Sequence, residues 1–162
     1  MTRGAVSRAR TLALAVQYQV STPGLPRPPT LRRWAQHALE TDATVTLRFV
    51  GTREGRRLNA EYRGQDHATN VLTFVYDDVV PLAGDIALCV PVVEREARAQ
   101  GKSLRAHCAH LVIHGMLHLQ GYDHERGDDA ARMEARETAL LARLGYRDPY
   151  AARTVTRRAR PG

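Results

Sequence analysis

The sequence predicts an α+β fold, a single domain in which a small mixed four-stranded sheet packs against about five helices. Period-two apolar alternation is concentrated in the first half of the chain, and helical apolar stripes dominate the second. With 162 residues and 43% apolar content, the chain is long enough to bury one sizeable core and short for two. No apolar run approaches the roughly 20 residues that a bilayer-spanning helix needs, so a soluble, cytoplasmic protein without a membrane partner is expected.

Leu12, Leu14, Val16, Tyr18 and Val20 alternate with smaller or polar residues and predict a half-buried strand. Four prolines and a glycine make residues 21–29 a loop. Thr30 is placed to cap a helix whose stripe is Leu31, Trp34, Ala35, Ala38 and Leu39. Val45, Leu47 and Phe49 alternate as a second strand. Thr52 to Tyr62 reads as a short helix closed by Gly64, with Asn59 and Arg63 one turn apart on the same face. Val71 to Tyr76 and Asp85 to Val90 supply two more strands, and Pro91 opens a helix that runs toward Gly101. Ser103 caps the next helix, which is rich in histidine. After the polar stretch 125–128, a last helix turns Met133, Leu140, Leu141 and Leu144 inward and stops at Gly145. Residues 1–11 read as a basic N-terminal extension, 12–150 as the folded domain and 151–162 as a basic disordered tail.

The formal charge of +7 invites a polyanion partner, but its distribution weakens that inference. Arg3, Arg8, Arg10, Arg153, Arg157, Arg158 and Arg160 account for the whole excess. The folded part is balanced. Cys89 and Cys108 lack metal or redox spacing and are expected to be buried, inert thiols of a reducing compartment. No aromatic-rich segment announces a base-stacking platform, so sequence-specific RNA reading by this chain alone is not expected.

The most informative segment is His114-Gly115-Met116-Leu117-His118-Leu119-Gln120-Gly121-Tyr122-Asp123-His124. Residues four apart lie one turn along a helix face, so His114 and His118 can hold one cation from adjacent positions. Gly121 then permits the reversal that returns His124 to the same point. Three imidazoles with an open fourth position are the ligand set of catalytic zinc, although other transition metals suit the same donors. His107 and His110 share the helix face, within about 80° of the other two. At about 1.5 Å rise per residue the whole row cannot serve one ion, and the return of His124 favours His114 with His118. His110 is then expected to be a hydrogen-bonding partner of the ligands. Gly115 stands where the H-E-x-x-H metallopeptidases have their glutamate base, so the helix offers no such base. Asp123 and Glu125 are acidic alternatives for that role nearby, and the base is not identified.

Four blocks in order resemble the YbeY family of bacterial zinc-dependent endoribonucleases. They are Arg-Leu-Asn-Ala-Glu-Tyr-Arg-Gly at 57–64, Thr-Asn-Val-Leu-Thr-Phe at 69–74, Gly-Asp-Ile at 84–86 and the histidine block at 110–124. The resemblance spans roughly residues 12–150 and implies one zinc ion held by His114, His118 and His124. It also implies catalytic roles for His114 and for Arg63, whose planar guanidinium can hold a phosphate through two parallel hydrogen bonds. Asn59 would orient Arg63, or serve only in capping and packing, and Asp85 would support the site or simply end a strand. The implied activity is cleavage of single-stranded RNA in ribosomal RNA maturation, at the 3′ end of the small-subunit rRNA, and in ribosome quality control. The implied partners are ribosomal RNA, the small ribosomal subunit and ribosome-associated proteins. Two alternatives use the same metal: a non-catalytic, zinc-stabilised ribosome assembly factor, and a metallopeptidase or amidohydrolase.

Overall fold

Alternation does produce the first two strands, and burial follows it most clearly in the second. In β2 (Ala43–Val50), Val45, Leu47 and Phe49 are buried while Thr44, Thr46 and Arg48 are partly or fully open. The computed structural model describes residues 9–76, 80–123 and 125–151. Residues 1–8 and 152–162 of the basic ends, and His124, lie outside them. β1 (Leu12–Tyr18) and β2 are parallel, β2 is parallel to β4 (Leu82–Cys89), and β3 (Val71–Val75) is antiparallel to β4. The strand order β1-β2-β4-β3 makes the expected mixed four-stranded sheet, with β1 and β3 at its edges.

Among the described residues five helices pack around it: α1 (Pro28–His37), α2 (Thr52–Arg63), α3 (Val90–Ala99), α4 (Leu104–Leu119) and α5 (Gly127–Arg143). Thr30 is not the cap of α1. Pro28 and Pro29 begin the helix instead, because their φ is already near the helical value and a first-turn residue needs no N–H donor. Thr30 therefore falls inside the first turn. Ser103 does cap α4, accepting from the Ala106 backbone N–H at 3.0 Å. α5 starts at Gly127, so the polar stretch 125–128 overlaps its first turn, which carries Asp128 and Asp129. Among the described residues no helix is long and apolar enough to cross a membrane.

Two side chains on β4 show how the layers divide. Ile86 packs under Gly115 of α4, whereas Ala87 joins Leu58 of α2 and Leu72 of β3. Neighbouring residues on a strand face opposite ways, so α4 and α2 lie on opposite faces of the sheet. The main core is on the α4 face and gathers Leu31, Trp34, Leu47, Phe49, Ile113, Met116, Leu117, Met133 and Leu140. Each such side chain contributes about 1.5–3 kcal/mol when fully buried.

Gly84 marks the tightest approach between these layers. A Cβ there would lie 2.5 Å from the Phe74 carbonyl oxygen and 2.8 Å from Leu119 Cδ2. The strand partner cannot withdraw without opening the β3–β4 ladder. Gly84→Ala is expected to destabilise the protein by about 1–3 kcal/mol and to lower its melting midpoint by several degrees. Thermal unfolding followed by circular dichroism checks this, and an unchanged midpoint would show that the packing is looser than described.

Candidate metal centre

From His107 to Leu119, every residue of α4 is buried except His110, His114 and His118. The histidine row is thus the only partly open stripe on this part of the helix, and it faces α5 and the loop after Leu119. His107, the fourth member of the row, is buried and contacts Glu96 of α3 through Nε2 at 2.8 Å. That pairing removes it from the site.

Glu137 of α5 organises the next two histidines. Its carboxylate is fully buried, 2.7 Å from His114 Nδ1 and 2.9 Å from His110 Nε2, and it accepts from the Tyr150 hydroxyl. Burial alone would raise its pKa, but hydrogen bonds from His110 and His114 and their charge outweigh that and bring it to about 2. An ionised carboxylate only accepts, so His110 donates from Nε2 and His114 from Nδ1. In the neutral imidazoles, the lone pair of His114 is therefore on Nε2 and that of His110 is on Nδ1. His110 Nδ1 is itself buried without a hydrogen-bond partner among the described residues.

The end of α4 orients His118 the same way. Gly121, at φ +104°, lets the Tyr122 N–H reach the Leu117 carbonyl at 3.1 Å and the Gly121 N–H reach that of His118 at 3.1 Å. This reversal brings the Tyr122 carbonyl to 3.0 Å from His118 Nδ1. A carbonyl also only accepts, so the lone pair of His118 is placed on Nε2 as well. The His114 and His118 rings are nearly parallel, 7° apart with centroids at 6.4 Å, whereas His110 stands at 82° to His114. The reversal is held from outside as well: Tyr122 donates to Glu40 at 2.9 Å, and Gln120 donates to the Ala38 carbonyl at 2.9 Å.

His110, His114 and Glu137 offer ligand atoms within 4.8 Å of one another, a group capable of holding a cation. Their separations of 2.7 and 2.9 Å are those of hydrogen bonds. Two ligands about 2.0–2.1 Å from a tetrahedral zinc would be spread to roughly 3.3 Å or more. The arrangement matches a carboxylate that orients ligating imidazoles better than it matches a third ligand. Glu137 and Tyr150 escaped the sequence reading. The available signal was a carboxylate in the apolar stripe of α5, between Met133 and Leu140.

Arg63 ends α2 and is exposed, and Gly64, at φ +69°, closes the helix behind it. α2, which carries Arg63, lies on the opposite face of β4 from α4. Asn59 is buried and donates to the His67 carbonyl at 2.7 Å, so it secures the loop after α2. Asp123 accepts from the Glu125 N–H at 3.0 Å. Cys89 and Cys108 are buried and free of disulfides, and burial pushes Cys108 up to about 12. Neither thiol is poised as a ligand or nucleophile.

Fold and cluster together define a metal-capable α+β domain. The family model for endoribonuclease YbeY matches residues 28–145. A protein of Aromatoleum aromaticum named endoribonuclease YbeY is 61% identical over 143 residues, which cover 86% of this chain and 93% of that protein. Another of that name from Nitrosomonas europaea is 55% identical over 139 residues, covering 86% of this chain and 85% of that one. The solution structure of a Thermotoga maritima protein is similar with a TM-score of 0.53 at 30% identity, covering 79% of this chain and 86% of that chain. The chain belongs to the endoribonuclease YbeY family.

Glu137→Gln keeps the size of the side chain but replaces one acceptor oxygen with a donor. It is expected to weaken metal affinity about 10–100-fold, as read by competition with a chromophoric chelator. The carboxylate also makes stability depend on pH. Its pKa is about 2 against an ordinary 4.5, so its contribution is present above the higher value and lost as pH falls through the lower. Melting midpoints of the metal-free wild type should fall across that window more than those of Glu137→Gln. Parallel curves would contradict the assignment.

Proposed function

We propose that this chain is a zinc-dependent endoribonuclease that cuts single-stranded RNA in ribosomal RNA maturation, with the 3′ end of the small-subunit rRNA as substrate. It would work in the cytoplasm on or near the small ribosomal subunit and share in ribosome quality control. Membership of the family supports the class of reaction. The observation that carries the metal centre is that Glu137 and the Tyr122 carbonyl both take Nδ1, which sets the lone pairs of His114 and His118 on Nε2.

In this reading His114 and His118 hold the metal through Nε2, with His124 as the third ligand. Bound zinc supplies Lewis acidity to a phosphoryl oxygen and to water. The protein's part is to keep the imidazoles in one tautomer and orientation, which Glu137 does for His114 and the loop reversal does for His118. Arg63 supplies a permanent positive charge to the RNA phosphate from the end of α2. The position beside His114 cannot carry a peptidase-type base, because a Cβ on Gly115 would lie 2.9 Å from Ile86 Cγ2. Anything larger than glycine would push into the core, which disfavours the peptidase alternative.

Cleavage of a labelled single-stranded RNA by wild type, His114→Ala and Arg63→Ala, each with its zinc content measured, tests the reading. His114→Ala is expected to lose zinc and cleavage while remaining folded. Arg63→Ala should retain zinc and lose about 10²–10³-fold in rate, the scale for removing one charge-stabilising group. Equal cleavage by all three proteins would mean that a contaminating nuclease is being measured and would sink the proposal. Unfolding of His114→Ala would favour a structural metal instead.

A further inference from the structure

The sheet has one open face. α1, α4 and α5 pack over the face that holds the main core, and α2 lies on the other, over Leu72 and Ala87. Away from α2, that second face presents Ala13, Ala15, Gln17 and Thr44 as exposed residues, with Thr46, Arg48 and Asp85 half-buried. Strand register sets Thr46, Asp85 and Phe74 side by side across β2, β4 and β3. Tyr76 follows Phe74 by two residues and continues the ladder, its N–H reaching the Ala83 carbonyl at 2.9 Å. Both rings therefore project from the same side of the edge strand.

Tyr62, from the last turn of α2, closes on this pair. Its ring lies against Phe74 with centroids 4.6 Å apart and planes tilted by 54°. Tyr62 remains 61% exposed and Tyr76 48% exposed, so the two tyrosines turn aromatic surface to water on either side of Phe74, which is half-buried against Leu58, Leu72 and Ala87. The Asp85 carboxylate, and after it burial, pushes the Tyr76 hydroxyl up to about 12, so it stays protonated. Arg48 lies near enough to Tyr76 to oppose that shift. Arg56 and Arg57 of α2 are neutralised by Asp66, Glu54 and Glu61, but Arg48 and Arg63 form no ion pair among the described residues.

We propose that Tyr62, Phe74 and Tyr76 form a stacking platform for unpaired bases of a single-stranded RNA, with Arg48 and Arg63 meeting its phosphates. This rests on the endoribonuclease reading and names the chemistry by which the substrate is held. Exposed rings on an open sheet, flanked by cations, suit unpaired bases, because every base has a face to stack and a duplex keeps its faces inside. The platform is also near the metal centre along the strand direction. Leu119, next to His118, approaches Gly84, and the partner of Gly84 on β3 is Val75, adjacent to Tyr76. A flexible strand stacked on the platform can thus pass around the β3 edge toward the histidines.

The test uses full-length, zinc-loaded protein and a short single-stranded RNA containing 2-aminopurine, mixed by stopped flow so that binding is read before cleavage. Tyr62→Ala and Tyr76→Ala are each expected to weaken binding about tenfold and to reduce quenching of the probe. Tyr62→Phe and Tyr76→Phe should bind within about twofold of wild type, since stacking needs the ring and not the hydroxyl. Binding of a duplex of the same sequence should be unaffected in all four. Wild-type affinity and quenching in the alanine variants would overturn the platform while leaving the nuclease reading in place. Equal losses in the phenylalanine variants would overturn it too, by assigning the effect to the hydroxyls. Absence of RNA binding by wild type would overturn both readings.

Discussion

A carboxylate with no exposed surface lies between two imidazoles, and the chemistry open to this protein depends on that contact. Burying the charge of Glu137 is unfavourable by several kcal/mol unless donors surround it. His110, His114 and Tyr150 provide them from α4 and from the segment after α5. Because the carboxylate only accepts, the contact decides which nitrogen of His114 carries the proton. In the proposed function, a structural requirement of the α4–α5 interface and a chemical requirement of a metal ligand would be met by the same hydrogen bond.

The rest of the fold keeps α4 where this contact can form. Ser103 satisfies an amide of its first turn, Gly115 lets its middle settle on Ile86, and Gly121 turns the chain so that the Tyr122 carbonyl faces His118. Gln120 bridges α4 to the segment after α1, donating to Ala38 and accepting from the Glu40 N–H at 2.6 Å. Glu40 in turn receives Tyr122 and Arg136, so the reversal is secured to both α1's exit and α5. Displacing any of these supports would move an imidazole relative to its acceptor. Ligand geometry is sensitive to such shifts because it depends on orientation as well as distance.

Much of this was legible from residue patterns. Alternation located β1 and β2, the third and fourth strands were anticipated with β4 beginning three residues earlier than read, glycine after the apolar stripes located the ends of α2 and α5, and the histidines at helical spacing marked one face of α4. His110 was expected to support the ligands rather than join them; its Nε2 contacts Glu137, and it shares with His114 and Glu137 the group capable of holding a cation. Thr30 misled because capping residues and first-turn prolines compete for the same boundary, and the prolines set φ outright. Glu137 was hidden because it pairs with a residue 23 positions away on another helix. Its one local sign was a charge in an otherwise apolar stripe. The aromatic cluster was hidden for the same reason: Tyr62 comes from a helix, Phe74 and Tyr76 from a strand, and only register and packing bring the rings together.

Anomalous diffraction at the zinc absorption edge, from crystals of the zinc-loaded protein, tests the central claim most directly. The expected result is one peak about 2.0–2.1 Å from Nε2 of both His114 and His118, with Glu137 still bonded to His114 Nδ1. A peak seated among His110, His114 Nδ1 and Glu137 would contradict it, making the carboxylate a ligand rather than the group that orients one.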